Sequence, residues 1–188
     1  RKGQITPIYV YSNCPRVELF VNGKSQGIEK RREDRYRYTW DDITYHPGKI
    51  KAVGYDLTGN ILCEKEIKTA GIPNKVSLVA DRTEINAGGT DLSFITVKIT
   101  DKDGNLCPEA SNLVNFKIEG EGTLLSVGNG DPTSLESYKN NQRSAFHGLC
   151  LLIVKSSSNE GKIKISASSE NLQSTSIEII TKNPDFSI

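Results

Sequence analysis

Zinc, calcium and nucleophile chemistry each require particular side chains at particular spacings, so these are the first residues to weigh. The 188 residues hold four cysteines, Cys14, Cys63, Cys107 and Cys150, and two histidines, His46 and His147. No two cysteines form a C-x-x-C, and the histidines stand far apart, so a zinc site has no spacing to support it. No G-x-S-x-G elbow exists to raise a nucleophile. His46 precedes Pro47-Gly48 and His147 precedes Gly148, which places them at a turn and at a strand start. The run Asp101-Lys102-Asp103-Gly104-Asn105 invites a calcium reading. An EF-hand loop needs glycine sixth and glutamate twelfth. Here glycine comes fourth and Asn112 twelfth, so a hairpin turn accounts for the residues instead. The acidic residues sit mostly at turns and on the polar side of strands, where solvent explains them better than acid–base catalysis. The expectation is no catalytic residue, no metal ligand and no cofactor.

Two features carry weaker binding readings. Trp40, the only tryptophan, has Tyr36, Tyr38 and Tyr45 nearby. Tyr36, Tyr38 and Trp40 share one face of a strand, and an aromatic row can stack on sugar rings. In a small sandwich, though, a single aromatic face is usually core. The second feature is Val127-Gly128-Asn129-Gly130-Asp131-Pro132. Its turn residues would present the Asn129 amide and the Asp131 carboxylate outward as a binding loop, with a plain connection as the alternative. The cysteines also admit two readings. Two fall in each half, Cys14 and Cys63 being 49 residues apart and Cys107 and Cys150 being 43 apart, which suits disulfides between sheets. Free, buried cysteines acting as small hydrophobes are the other reading, favoured by Cys150 lying inside the apolar run 149–152.

Bulk composition narrows the partners. Formal net charge is +1, from 24 basic and 23 acidic residues, which gives no one-signed face for nucleic acid or anionic lipid. The densest basic stretch, Lys30-Arg31-Arg32 with Arg35 and Arg37, is broken by Glu33 and Asp34 and reads as a solvated loop. No apolar run approaches the roughly 18 residues of a membrane span, so no membrane insertion is expected. Methionine is absent, and the chain starts at Arg1, as expected of a piece processed or excised from a larger protein.

The elements that would position these residues are strands. Short runs rich in Val, Ile, Thr and Tyr recur about every ten residues, cut by Gly, Asn, Asp and Pro. Strands are predicted over 8–11, 17–21, 36–40, 50–55 and 61–67, with Asn22-Gly23 closing a hairpin onto the segment from Lys24. Gly71-Ile72-Pro73 breaks the pattern as a linker. Strands resume over 76–80, 94–99, 114–118, 123–127, 148–155, 162–168 and 176–180, with a long polar stretch over 128–144. The reading is all-β: two consecutive antiparallel β-sandwich domains, residues 1–70 and 71–188.

Val17-Glu18-Leu19-Phe20-Val21-Asn22-Gly23-Lys24-Ser25, followed by Tyr45-His46-Pro47-Gly48-Lys49-Ile50-Lys51-Ala52-Val53-Gly54-Tyr55, resembles an Ig-like domain found after the catalytic barrel of bacterial family 2 glycoside hydrolases. The second half resembles a further C-terminal domain of those enzymes, akin to invasin-type bacterial Ig-like repeats. That likeness rests on residues 99–105 and 127–134. The resemblance implies a β-galactosidase-like parent with retaining chemistry, its two catalytic glutamates lying in a barrel to which nothing here aligns. It implies a non-catalytic accessory region whose partner is that barrel within the same chain, exported to a periplasm or cell surface. The loop around Asn129 and Asp131 would then approach the substrate cleft. A carbohydrate-binding module, contacting glycan through Trp40 or Asn129 and Asp131, and an adhesin-like interaction module are the alternatives.

Overall fold

The structure, a computed structural model, describes residues 2–184, and no helix occurs among them. The fifteen strands among the described residues divide between two compact units, Arg1–Thr69 and Ala70–Ile188.

The first unit holds β1 (Ile8–Val10), β2 (Arg16–Val21), β3 (Lys24–Lys30), β4 (Tyr38–Trp40), β5 (Lys49–Tyr55) and β6 (Ile61–Lys68). Strands β3-β2-β5-β6 form an antiparallel sheet, and β1 pairs with β4 in a two-stranded ribbon. Alternate residues of a strand face opposite ways, so Val17 and Leu19 of β2 point to one side together. There they meet Tyr38 and Trp40 of the ribbon, with Cys14 and Ile43 completing a small core. The Asn22-Gly23 turn forms as its sequence predicts. Both residues have positive φ, 50° and 80°, and Val21 pairs with Lys24 across it. On the sheet's other face, Lys49 pairs with Glu66 at 3.4 Å and Lys51 with Glu64 at 2.6 Å, diagonally between β5 and β6. Strand β6 is the sheet's edge, and every residue along it is exposed.

The second unit is a two-sheet sandwich. Its strands are β7 (Lys75–Ala80), β8 (Glu84–Asn86), β9 (Leu92–Thr100), β10 (Leu113–Gly120), β11 (Gly122–Gly128), β12 (Gln142–Ser144), β13 (Leu149–Ser156), β14 (Gly161–Ser168) and β15 (Thr175–Lys182). One sheet runs β12-β10-β14-β15-β8 and the other β11-β13-β9-β7. The core is read off by period two. Ile95, Val97 and Ile99 of β9 and Cys150, Leu152 and Val154 of β13 come from one sheet. Val114 and Phe116 of β10, Ile163 and Ile165 of β14, and Ile179 of β15 come from the other. Branched side chains fill such a pleated interior because they lose little rotamer freedom there.

Two strands depart from the sequence expectation. β8 has a single apolar residue, Ile85, and pairs with β15 in parallel, whereas every other strand pair among the described residues is antiparallel. The chain leaves the four-stranded sheet after β7 and joins the opposite sheet at β8, so one passage serves both edges. The crossing is pinned by Asp81, whose Oδ1 accepts from Arg82 N at 2.8 Å, Phe94 N at 2.8 Å and Ser93 Oγ at 3.0 Å. β12, Gln142-Arg143-Ser144, lies inside the stretch that reads as polar loop. Replacing Leu152, which is wholly buried, by Ala removes side-chain atoms from a packed layer between the sheets. The expected loss is about 2–5 kcal/mol, read from the urea midpoint.

Candidate functional site

The long polar stretch over 128–144 folds back around one buried cation. Arg143 lies in β12 opposite Val114, so its side chain takes the same inward face, and it is fully buried. A guanidinium is always charged and has five N–H donors, so burial is tolerable only with acceptors on several sides. The stretch supplies them. Arg143 Nη1 donates to the Glu136 carbonyl at 2.9 Å and Nη2 to Asn129 Oδ1 at 2.9 Å. The Glu136 carboxylate lies 3.3 Å from Nε as an ion pair, without the alignment of a hydrogen bond. Glu136 also accepts from Ser144 Oγ at 2.7 Å and Ser144 N at 3.2 Å. The Tyr138 ring closes the outside, its centroid 5.1 Å from the guanidinium carbon, as a cation–π lid.

This geometry corrects the outward reading of Asn129. Its Oδ1 accepts from Arg143 and from Asp131 N at 3.1 Å, while its Nδ2 donates to the Ser144 carbonyl at 2.8 Å. Both ends of the amide are spent inside the protein. The Asp131 Oδ1 accepts from Thr133 N at 2.8 Å and Thr133 Oγ1 at 2.7 Å, so it caps a turn. Those bonds, with the positive charge of Arg143 beyond, hold its pKa below the usual carboxylate range. Trp40 is 6% exposed and packs in the first unit's core, so its ring is no platform for a sugar. Of its supposed aromatic row, Tyr38 is buried with it, but Tyr36 lies before β4 begins and is exposed.

The Asp101 run is a turn, as its spacing implies, and its chemistry explains why. Asp101 is buried, and its carboxylate accepts from the amides of Asp103 at 2.9 Å, Asn105 at 2.8 Å and Gly71 at 2.8 Å, and from Asn105 Nδ2 at 3.0 Å. Four donors aimed at one carboxylate leave it unsuited to a cation, and they lower its pKa to about 2, the Gly71 amide first among them. The first unit repeats the device. Asp56 accepts from the amides of Thr58, Gly59 and Asn60 and from the Asn60 side chain, all within 2.9 Å, and its pKa is lowered by those bonds. The shared D-x-x-G-N spelling of 56–60 and 101–105 was open to sequence reading and signals this turn. No group of three or more His, Cys, Asp or Glu side chains suited to a metal occurs among the described residues.

The cysteines separate into two kinds. Cys107 and Cys150 are buried; Cys107 Sγ lies 3.6 Å from the Gly71 carbonyl, and desolvation pushes the Cys150 thiol up to about 12. Cys14 is buried and Cys63 exposed, with their sulfurs 3.6 Å apart. An open depression of the first unit is lined by Phe20, Val53, Tyr55 and Ile61, with Lys49, Lys51 and Glu66 beside them.

Residues 76–178 match the model of glycoside hydrolase family 2 C-terminal domain 5. The chain belongs to the C-terminal region of glycoside hydrolase family 2. Residues 3–63 match a domain of unknown function, DUF4982. The family 2 region is 42% identical over 169 residues to the β-galactosidase BoGH2A of Bacteroides ovatus, covering 90% of this chain and 20% of that protein. A solved family 2 member from Bacteroides cellulosilyticus superposes with a TM-score of 0.89 at 39% identity, over 97% of this chain and 23% of that one. A β-glycosidase from Bacteroides vulgatus gives 0.90 at 31% identity, over 95% and 23%. The match falls on the non-catalytic C-terminal part of these enzymes.

Two outcomes follow for the family 2 region. Arg143→Ala leaves Asn129 Oδ1 and the partly exposed Glu136 carboxylate without their buried partner, and an acceptor left unsatisfied in this way costs about 1–3 kcal/mol. Urea unfolding reads that loss, and hydrogen exchange reads faster opening of amides over 129–144 in the same variant. Asp101 has a folded pKa of about 2 against an ordinary 3.8, so its stabilisation is complete above about pH 4 and fades as pH falls toward about 2. Asp101→Asn is expected to be less stable than the parent at neutral pH. Its urea midpoint should also vary less between pH 4 and pH 2.

Proposed function

We propose that this region is an accessory piece of a β-galactosidase-like family 2 enzyme, an immunoglobulin-like pair that braces the catalytic barrel of the same chain rather than binding sugar itself. The observation that carries the reading is coverage. Nearly all of this chain aligns with relatives of which it makes up about a fifth. The loop residues read as outward binding groups support it further, because Asn129 is turned onto Arg143 and Asp131 onto the turn at Thr133. The first unit also leaves large apolar side chains uncovered, among them Tyr11 at 71%, Leu57 at 81%, Ile61 at 63% and Ile67 at 66%. Such surface is costly to leave in water and suits contact with further protein. Degradation of β-galactosides outside the cytoplasm, in a periplasm or at the cell surface, is the setting this reading assigns.

The test uses the full-length enzyme and this chain side by side. Ile61→Lys with Ile67→Lys alters exposed positions, so the isolated chain should change by no more than about 0.5 kcal/mol. In the full-length enzyme the same pair should lower the inactivation temperature of galactoside hydrolysis by several degrees. An unchanged inactivation temperature overturns bracing through this sheet. Saturable binding of galactosides by the isolated chain would instead favour the carbohydrate-binding reading.

A further inference from the structure

We propose that Cys14 and Cys63 are a disulfide-forming pair, and that Gly54 is the residue that lets them meet. Cys14 lies just before β2, and Cys63 lies in β6, with β5 between those two strands in the sheet. Thiols on either side of an intervening strand are ordinarily kept apart by its side chains. Here the residue of β5 paired with Cys63 is Gly54. A Cβ placed on Gly54 would lie 2.5 Å from Cys14 Sγ and 3.0 Å from Cys63 Sγ, so the two sulfurs occupy the room its missing side chain leaves. Gly54 has no positive φ, so backbone conformation does not account for it. Space for the thiols does.

The sulfurs are 3.6 Å apart, about 1.5 Å beyond the length of a disulfide bond. The flanking backbone is held on both sides. The Cys14 amide donates to Ser12 Oγ at 3.1 Å, and its carbonyl accepts from the Tyr38 hydroxyl. Beside Cys63 the β5–β6 register shifts, Gly54 pairing with Cys63 and Tyr55 with Ile61. That irregularity sits on an edge strand, where small backbone adjustments cost least. Cys107 and Cys150, by contrast, are buried in the second unit.

The two members differ in access, which sets the order of events. Cys63 is exposed and meets the oxidant, a small-molecule disulfide such as oxidised glutathione. Its thiolate attacks one sulfur of that disulfide, the S–S bond breaks, and one glutathione leaves as a thiolate. The Cys14 thiolate then attacks Cys63 Sγ and displaces the second glutathione. Two protein thiols are oxidised, one disulfide is reduced to two thiols, and the two protein protons pass to the glutathiones. The thiol–thiol hydrogen bond with Cys14 raises the Cys63 pKa, so the first attack, on the oxidant, should quicken as pH rises.

The test is incubation of the protein with oxidised glutathione, followed by digestion without reductant. The expected product is a linked peptide holding Cys14 and Cys63, lighter by two hydrogens. A rise in Tm on the order of 10 °C for the first unit, reversed by dithiothreitol, should accompany it. Cys63→Ser replaces an exposed side chain, so it should fold as the parent does and show no oxidation-dependent rise. Cys14→Ala should stop at the glutathione adduct on Cys63. A stable adduct on Cys63 in the parent protein, a bridge that includes Cys107 or Cys150, or no reaction at either thiol overturns the proposal.

Discussion

A charged side chain at an inward position of the second unit's two sheets is tolerable only where acceptors are brought around it. The rest of the structure follows from that requirement. Where the alternation supplies Ile, Val and Leu, the strands need nothing more. Where it supplies Arg143, a whole connection has to be organised around the exception. Asn129 gives up its amide, Glu136 its carboxylate and carbonyl, and Tyr138 its ring, so one charged residue dictates the path of residues 128–144. An inward-pointing charge on an edge strand also discourages a foreign strand from adding there. β12 is such an edge.

That exception explains what sequence reading could and could not see. Long alternating runs such as 94–99 and 162–168 announced their strands, and Asn22-Gly23 its hairpin, because local chemistry and burial agree there. β8 and β12 were invisible because three residues with one apolar side chain or none carry no period. Their pairing comes from strands distant in sequence, β15 for β8 and β10 for β12, and β12 is held further by the buried Arg143 and its acceptors. Asn129 misled for the same reason. An Asn between two glycines looks like an outward turn residue until the distant Arg143 is known to need its oxygen. Trp40 was legible as core because its strand spacing put it beside Tyr38. Tyr36, assigned to the same face by that spacing, is exposed, because the strand starts two residues later.

The turns at Asp56 and Asp101 share one chemistry. Carboxylates that elsewhere would hold metal or move protons are here spent on backbone amides, at Asp56 and Asp101 alike. The same turn serves both units although their sheets differ, because it depends chiefly on one carboxylate and the amides two and four residues beyond it, with the Asn side chain at the fourth.

The exposed edge strand β6 has a further consequence, for copies of the chain meeting one another. Two β6 strands could extend the sheet antiparallel only by keeping its faces continuous, which pairs outer residues with outer residues. Centred on Lys65, that register sets Glu64 against Glu66 of the second copy and Lys65 against Lys65. Centred on Glu64 or on Glu66, it sets a carboxylate against its own duplicate. Like charges directly opposite oppose strand pairing. An edge rich in Ile61, Leu62 and Ile67 is thereby guarded against self-templating by the order of three charged residues, Glu-Lys-Glu, read the same in both directions.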